Sequence, residues 1–214
     1  MSLISEIDAL KASMGEKLPA DVASAMGQAS QALVASGAAG KALKAGALAP
    51  LFELPDAQGK LVRLDELLGR GPVVLVFYRG LWCPFCNLTL ASLQRELGQI
   101  KAAGATLVAI SPQTPEATSK TSEQLATEFA VLSDVGNNVA RLYGLVFTLA
   151  ENMRPIYSAL GVDLPVANGD DNYELPLAST FIIDKDRRTA YAAVDADYTR
   201  RMEPAEITKV LLAL

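Results

Sequence analysis

At 214 residues, 50% hydrophobic and 20% charged, the chain can bury one sizeable core and lacks the composition of a disordered protein. Its formal net charge of −5 argues against a surface built to neutralise nucleic-acid phosphates or an anionic membrane, so no nucleic-acid partner is expected. The most apolar run, Val73 to Tyr78, is strand length and far below the roughly 20 residues of a membrane helix, so no membrane contact is expected.

The start, Met1 to Asp8, is acidic rather than a basic secretory leader, which makes the cytoplasm the expected address. Leu3, Ile4, Ile7, Leu10, Met14 and Leu18 recur at helical spacing. Pro19 then restarts the chain as a first helical residue, with Val22, Met26, Ala29, Leu33 and Val34 on one side of a second helix. Residues 37–46 read as an Ala/Gly/Lys linker; Gly37 to Lys41 lacks the preceding strand and the Ser or Thr of a phosphate loop. Residues 1–45 are expected to be an N-terminal helical extension, packed on the main domain or serving as a homodimer element.

From Gly46 the pattern changes. Ala49 to Leu54 and Lys60 to Leu64 flank Pro55-Asp56-Ala57-Gln58-Gly59, the chemistry of a hairpin turn. After a helical turn at Asp65 to Leu68, Val73 to Tyr78 suits a strand buried on both faces. Pro84 to about Ala102 is predicted helical, with Leu88, Leu93, Leu97 and Ile100 inward. Thr106 to Ser111 is a second buried strand. Thr114, a cap, and Pro115 open a helix running to about Phe129. Val131-Leu132 is a short strand, and Val139 to Tyr143 and Pro155 to Leu160 are short helices. Asn168 to Asn172 is a solvated turn without the alternating ligands of a calcium loop. Two strands, Thr180 to Asp184 and Ala190 to Val194, precede a closing helix from Glu203-Pro204, with Ile207, Val210, Leu211 and Leu214 inward. Strands alternating with helices predict an α/β domain around a mixed sheet.

The chain has two cysteines, Cys83 and Cys86, in Cys-Pro-Phe-Cys. Pro84 has no amide hydrogen and a preset φ, so it belongs at the first helical position. Cys83 then falls at the cap, where free N–H groups and the helix dipole favour thiolate. Cys86, one turn in, is close enough to attack an adduct on Cys83, and the converse geometry is equally available. Trp82 and Pro84 are placed at the rim of the site. A structural zinc centre needs four N or S ligands, and this chain has no histidine and no further cysteine, so no metal and no cofactor are expected. Redox chemistry is the favoured use of the pair in this strand–loop–helix context, against a zinc site completed by carboxylates or shared between subunits and against two buried, inert cysteines.

Around that pair the sequence resembles the peroxiredoxins of the alkyl hydroperoxide reductase/thiol-specific antioxidant (AhpC/TSA) group of the thioredoxin superfamily. The resemblance is carried by Gly46 to Leu54, by Phe77-Tyr78-Arg79-Gly80-Leu81-Trp82-Cys83-Pro84-Phe85-Cys86, and by Ser111-Pro112. It continues through Leu132-Ser133-Asp134, Tyr143-Gly144 and Thr180-Phe181-Ile182-Ile183-Asp184. It covers residues 46–214 and implies a thioredoxin-like α/β domain with a central mixed sheet flanked by helices, beyond the N-terminal helical extension. It also implies a hydroperoxide substrate, a Cys83–Cys86 disulfide, and thioredoxin, glutathione or a similar thiol as reductant. The chain departs from the family's Pro-x-x-x-Thr-x-x-Cys signature: Arg79 takes the Pro position, Cys83 the Thr position and Cys86 that of the peroxide-attacking cysteine. The family's Arg before the Thr-Phe-Ile-Ile-Asp strand corresponds to Ala178.

Two assignments therefore stand. The family register makes Cys86 the attacking sulfur; helix capping makes it Cys83. Arg79 is a candidate to stabilise the thiolate in place of the missing charge, against a surface role. Arg200 and Arg201 are read as solvated or paired with Glu203, with a reach to the thiolate as the alternative. The expected activity is a thiol-dependent peroxidase, and the alternative is a thioredoxin-type thiol–disulfide oxidoreductase acting on a disulfide substrate.

Overall fold

The computed structural model describes residues 2–214. Helix α1 (Leu3–Lys17) starts at Ser2, whose hydroxyl accepts from the Ser5 N–H. Its Leu3 and Ile7 are buried against α4, described below. Pro19 ends it and sits at the cap of α2 (Ala20–Ala35), one position earlier than its φ preference predicts. Met26 and Ala29 of α2 pack on one apolar cluster and Leu33 on another, whereas Val34, expected inward, is 50% exposed. The expected linker contains a 3₁₀ turn at Ala38–Lys41. It is held to the domain where the Leu43 N–H meets the Tyr143 carbonyl at 3.0 Å. Gly144, at φ +69°, lies so close that a Cβ there would strike the Lys41 carbonyl.

β1 (Glu53–Pro55) and β2 (Leu61–Arg63) form the expected antiparallel hairpin. Asp56 Oδ1 accepts from the Gln58 and Lys60 N–H groups, both at 2.9 Å, and so pins the turn. α3 (Leu64–Leu68) leads to β3 (Val73–Phe77), then α4 (Pro84–Ala102), β4 (Thr106–Ser111), α5 (Pro115–Gln124) and β5 (Ala130–Ser133). α6 (Asn138–Leu142), β6 (Val146–Thr148), α7 (Arg154–Ala159), α8 (Leu164–Asn168) and β7 (Glu174–Pro176) precede the last sheet strands. These are β8 (Ser179–Ile183) and β9 (Thr189–Val194), followed by α9 (Pro204–Leu211).

The main sheet has the order β5-β4-β3-β8-β9, parallel on one side of β3 and antiparallel on the other. β3 is the middle strand and its side chains alternate between two cores. Val73, Leu75 and Phe77 face one, with Phe181 and Tyr143; Val74 and Val76 face the other, with Leu90, Leu93 and Ile207. Each such buried side chain contributes about 1.5–3 kcal/mol. This is the mixed α/β sheet that the strand–helix alternation predicts.

Three local expectations are corrected. α5 stops at Gln124 rather than near Phe129, because Ala126 turns to φ +47° and the Glu128 N–H is taken by Gln94 Oε1 at 2.8 Å. Leu214 lies beyond α9 and is 56% exposed. α8 and the β6–β7 pair were not foreseen; segments of three to five residues are too short to show a period.

Glu203, at the cap of α9, accepts from the Leu3 and Ile4 N–H groups at 3.2 and 2.8 Å and so ties the chain's two ends together. A carboxylate on a helix N-terminus satisfies free donors and suits the dipole. Glu203→Ala is expected to cost about 1–2 kcal/mol in urea unfolding and to speed hydrogen exchange at the start of α1.

Candidate active site

β3 ends at Phe77, and five residues carry the chain to Cys83 at the head of α4. Gly80, at φ +151°, lies under the Trp82 indole, with no room for a Cβ. The Cys83 N–H donates to the Gly80 carbonyl at 3.1 Å and the Leu81 N–H to Gln113 Oε1 at 3.0 Å. Asn87 Nδ2 closes back on the Leu81 carbonyl at 2.7 Å. The loop is thereby fixed from both sides. Cys83 takes the cap and Pro84 the first helical position, as the spacing predicts. The Cys83 sulfur, however, makes no capping hydrogen bond to the backbone.

Its donors come from elsewhere. Arg79 is buried, and its Nη2 donates to Cys83 Sγ at 3.2 Å while Nη1 reaches Tyr157 Oη at 3.3 Å. The guanidinium carbon is 4.3 Å from the Tyr198 ring centroid and 5.1 Å from that of Trp82. A surface role for Arg79 is excluded by this burial. Both cysteines are reduced and buried.

Burial by itself would push the Cys83 thiol up. A hydrogen bond from the Cys86 thiol and the adjacent Arg79 charge outweigh it, with Arg201 adding to them, and hold Cys83 well below the usual thiol range. Cys86 is held well above that range by its own burial and by its role as proton donor to Cys83. The two thiols are thus pushed apart, Cys83 down and Cys86 up, as a close pair that titrates together does.

Arg200 and Arg201 part company. Arg200 is a surface residue 3.7 Å from Asp195 and 3.8 Å from Asp197. Arg201 turns inward, its Nη2 lying 3.9 Å from Cys86 Sγ. Neither pairs with Glu203, which is occupied at α1. Arg201 lines one cavity with Ala178, and it comes from the loop before α9. Tyr157 and Tyr198 were not foreseen. Tyr198 stands beside the Arg200-Arg201 pair in sequence, but nothing local marks Tyr157, which is brought in by α7. Trp82 packs edge-to-face on Tyr157 at 5.5 Å and, with Pro84, lines the cavity next to Cys83. Among the described residues no group of three or more His, Cys, Asp or Glu is placed to hold a metal.

A Cys-x-x-Cys at the head of the helix that follows the central strand of a mixed sheet is the arrangement of a thioredoxin-fold protein. The AhpC/TSA family model matches residues 45–192, and the chain belongs to that family. It is 34% identical over 103 residues to Peroxiredoxin Bcp of Escherichia coli, a match that covers 48% of this chain and 65% of that relative. It is 30% identical over 103 residues to Thiol-disulfide oxidoreductase ResA of Halalkalibacterium halodurans, covering 48% of this chain and 57% of the relative. Among solved structures, Peroxidoxin BcpB from Mycobacterium tuberculosis superposes with a TM-score of 0.64 at 25% identity, covering 80% of this chain and 98% of that one. A mutant of Peroxiredoxin 6 of Arenicola marina, 19% identical, has the same fold with a TM-score of 0.64 over 79% of this chain and 72% of that one. No helix among the described residues is long and apolar enough to cross a membrane.

Proposed function

We propose that this chain is a thiol-dependent peroxidase in which Cys83 attacks a hydroperoxide and Cys86 closes the disulfide. The observation that carries the assignment is the Arg79 guanidinium 3.2 Å from Cys83 Sγ. A thiolate needs a compensating charge when buried, and Cys83 has the nearer one. The Cys83 thiolate takes the outer oxygen of ROOH, the O–O bond breaks, and the alkoxide leaves and picks up a proton as ROH. The sulfenic acid on Cys83 is then attacked by Cys86, releasing water and forming the Cys83–Cys86 disulfide. Two external thiols, from thioredoxin, glutathione or a similar reductant, restore the pair. In this reading residues 46–214 form the peroxiredoxin domain, residues 1–45 its helical extension, and a reducing cytoplasm its setting.

Trp82 is the only tryptophan and adjoins Cys83, so its fluorescence reports oxidation. Mixing reduced protein with hydroperoxide by stopped flow is expected to give a fast change in emission. A rate no better than that of a free thiol would overturn the peroxidase reading. The likeness to a thiol–disulfide oxidoreductase supports a second reading, tested by insulin-disulfide reduction.

Arg201 has the position to ease ionisation of Cys86 during disulfide closure. A unit charge at this separation is worth at least about 1 kcal/mol. Arg201→Gln is expected to slow the second phase of the Trp82 signal, disulfide closure, roughly fivefold while leaving the disulfide as end product.

A further inference from the structure

Beside Cys83 lies a half-open cavity of about 200 Å3, which Cys83 lines and Cys86 does not. Arg79, Trp82, Tyr157 and Tyr198 line part of it. Its remaining wall comes from Met14 of α1, Leu18 at the α1–α2 junction and Met26 of α2. These three residues lie outside the stretch that matches the AhpC/TSA model. Apart from Arg79 and Cys83 the lining is apolar or aromatic, which suits a ligand with a hydrocarbon body, and the volume lies below the roughly 300–1,000 Å3 of sites for drug-sized ligands.

We infer that the N-terminal helices form the specificity wall of a pocket for a compact apolar hydroperoxide, whose hydrocarbon packs on Met14, Leu18 and Met26 with its oxygens beside Cys83. The inference rests on the peroxidase reading for its chemistry, in which the bound ROOH gives its outer oxygen to Cys83 and leaves as ROH. Hydrogen peroxide has no hydrocarbon to place on that wall. An apolar pocket discriminates about 10-fold or more per group it accommodates.

The test compares cumene hydroperoxide with hydrogen peroxide on the reduced full-length chain, and separately titrates cumyl alcohol, the reduced product, by Trp82 fluorescence. The wild type is expected to favour cumene hydroperoxide by roughly tenfold or more. Leu18→Asp, which sets a carboxylate in the wall, is expected to lower that ratio by about tenfold and to abolish saturable alcohol binding. Should Leu18→Asp lose helical content, Met26→Ser is read in its place. Equal rates for the two peroxides, or a ratio unchanged in the variant, overturn the inference. If neither peroxide oxidises the protein, the peroxidase reading falls and alcohol binding judges the pocket alone: saturable binding lost in the variant supports it, and no binding overturns it.

Discussion

Cys83→Ser should reduce peroxide consumption by on the order of 10³-fold or more, because the attacking thiolate itself is removed. Cys86→Ser should keep the first oxidation and stop there. Its product would carry one added oxygen on Cys83 by mass spectrometry and react with dimedone. The contrast between the two variants decides between the cap and the family register. At the register position, Cys86 occupies the place of the peroxide-attacking sulfur, yet burial and Cys83 hold its thiol well above the usual range and it does not line the cavity. Cys83 stands where the family signature has a threonine and is held well below that range beside Arg79. Rapid peroxide oxidation of Cys83→Ser, with none in Cys86→Ser, would reverse the assignment.

Arg79→Gln is expected to have the next largest effect, a fall of about 10²–10³-fold in the first step at neutral pH, the usual loss when a preorganised donor to a developing or resident charge is removed. The sign of the accompanying pH effect follows from the site. With Arg79 present the Cys83 thiol is held well below the ordinary range, so the acid limb of the rate profile is expected correspondingly low. Without that charge, burial dominates and the thiol moves up. The acid limb of the pH–rate profile then shifts to higher pH, and part of the lost rate returns in alkaline solution. Arg79→Lys should fall between the two, since an ammonium keeps the charge but cannot reach Cys83 and Tyr157 together as the planar guanidinium does. A profile with an unmoved acid limb in Arg79→Gln would leave Arg79 a packing residue only.

Packing between the two aromatic rings explains why arginine serves here. The guanidinium spans Tyr198 and Trp82 while its Nη atoms point at Cys83 and Tyr157. Arg79 thus lines the cavity and places a positive charge on the sulfur at once. Its place in the family signature belongs to a proline, which has neither charge nor reach. A second guanidinium, from Arg201, lies against Cys86. Two nearby cations make a buried thiolate tolerable.

Much of this was legible in the sequence. The β-branched run at Val73 to Phe77 specifies a strand buried on both faces, and Pro84 specifies where α4 begins. Together they place Cys83 at the cap and Cys86 one turn in, as local backbone preferences act over a few residues and need no distant partner. Family motifs added the order of the later elements and the vacancy at Ala178. Where α5 ends and which way Val34 and Leu214 face were misjudged, since those depend on neighbours such as Gln94 that a local pattern does not contain.

The Cys-Pro-Phe-Cys pair and its position at the head of a helix were determined by the sequence alone, because proline geometry and strand hydrophobicity are local properties. Which cation reaches which sulfur was decided only by tertiary structure. Arg79 turns inward on a loop braced by Gln113 and Asn87, Arg201 arrives from 115 residues away, and Met14, Leu18 and Met26 fold over the Cys83 side. Charge and access at a buried sulfur depend on which groups surround it in space, and these come from four separate stretches of the chain.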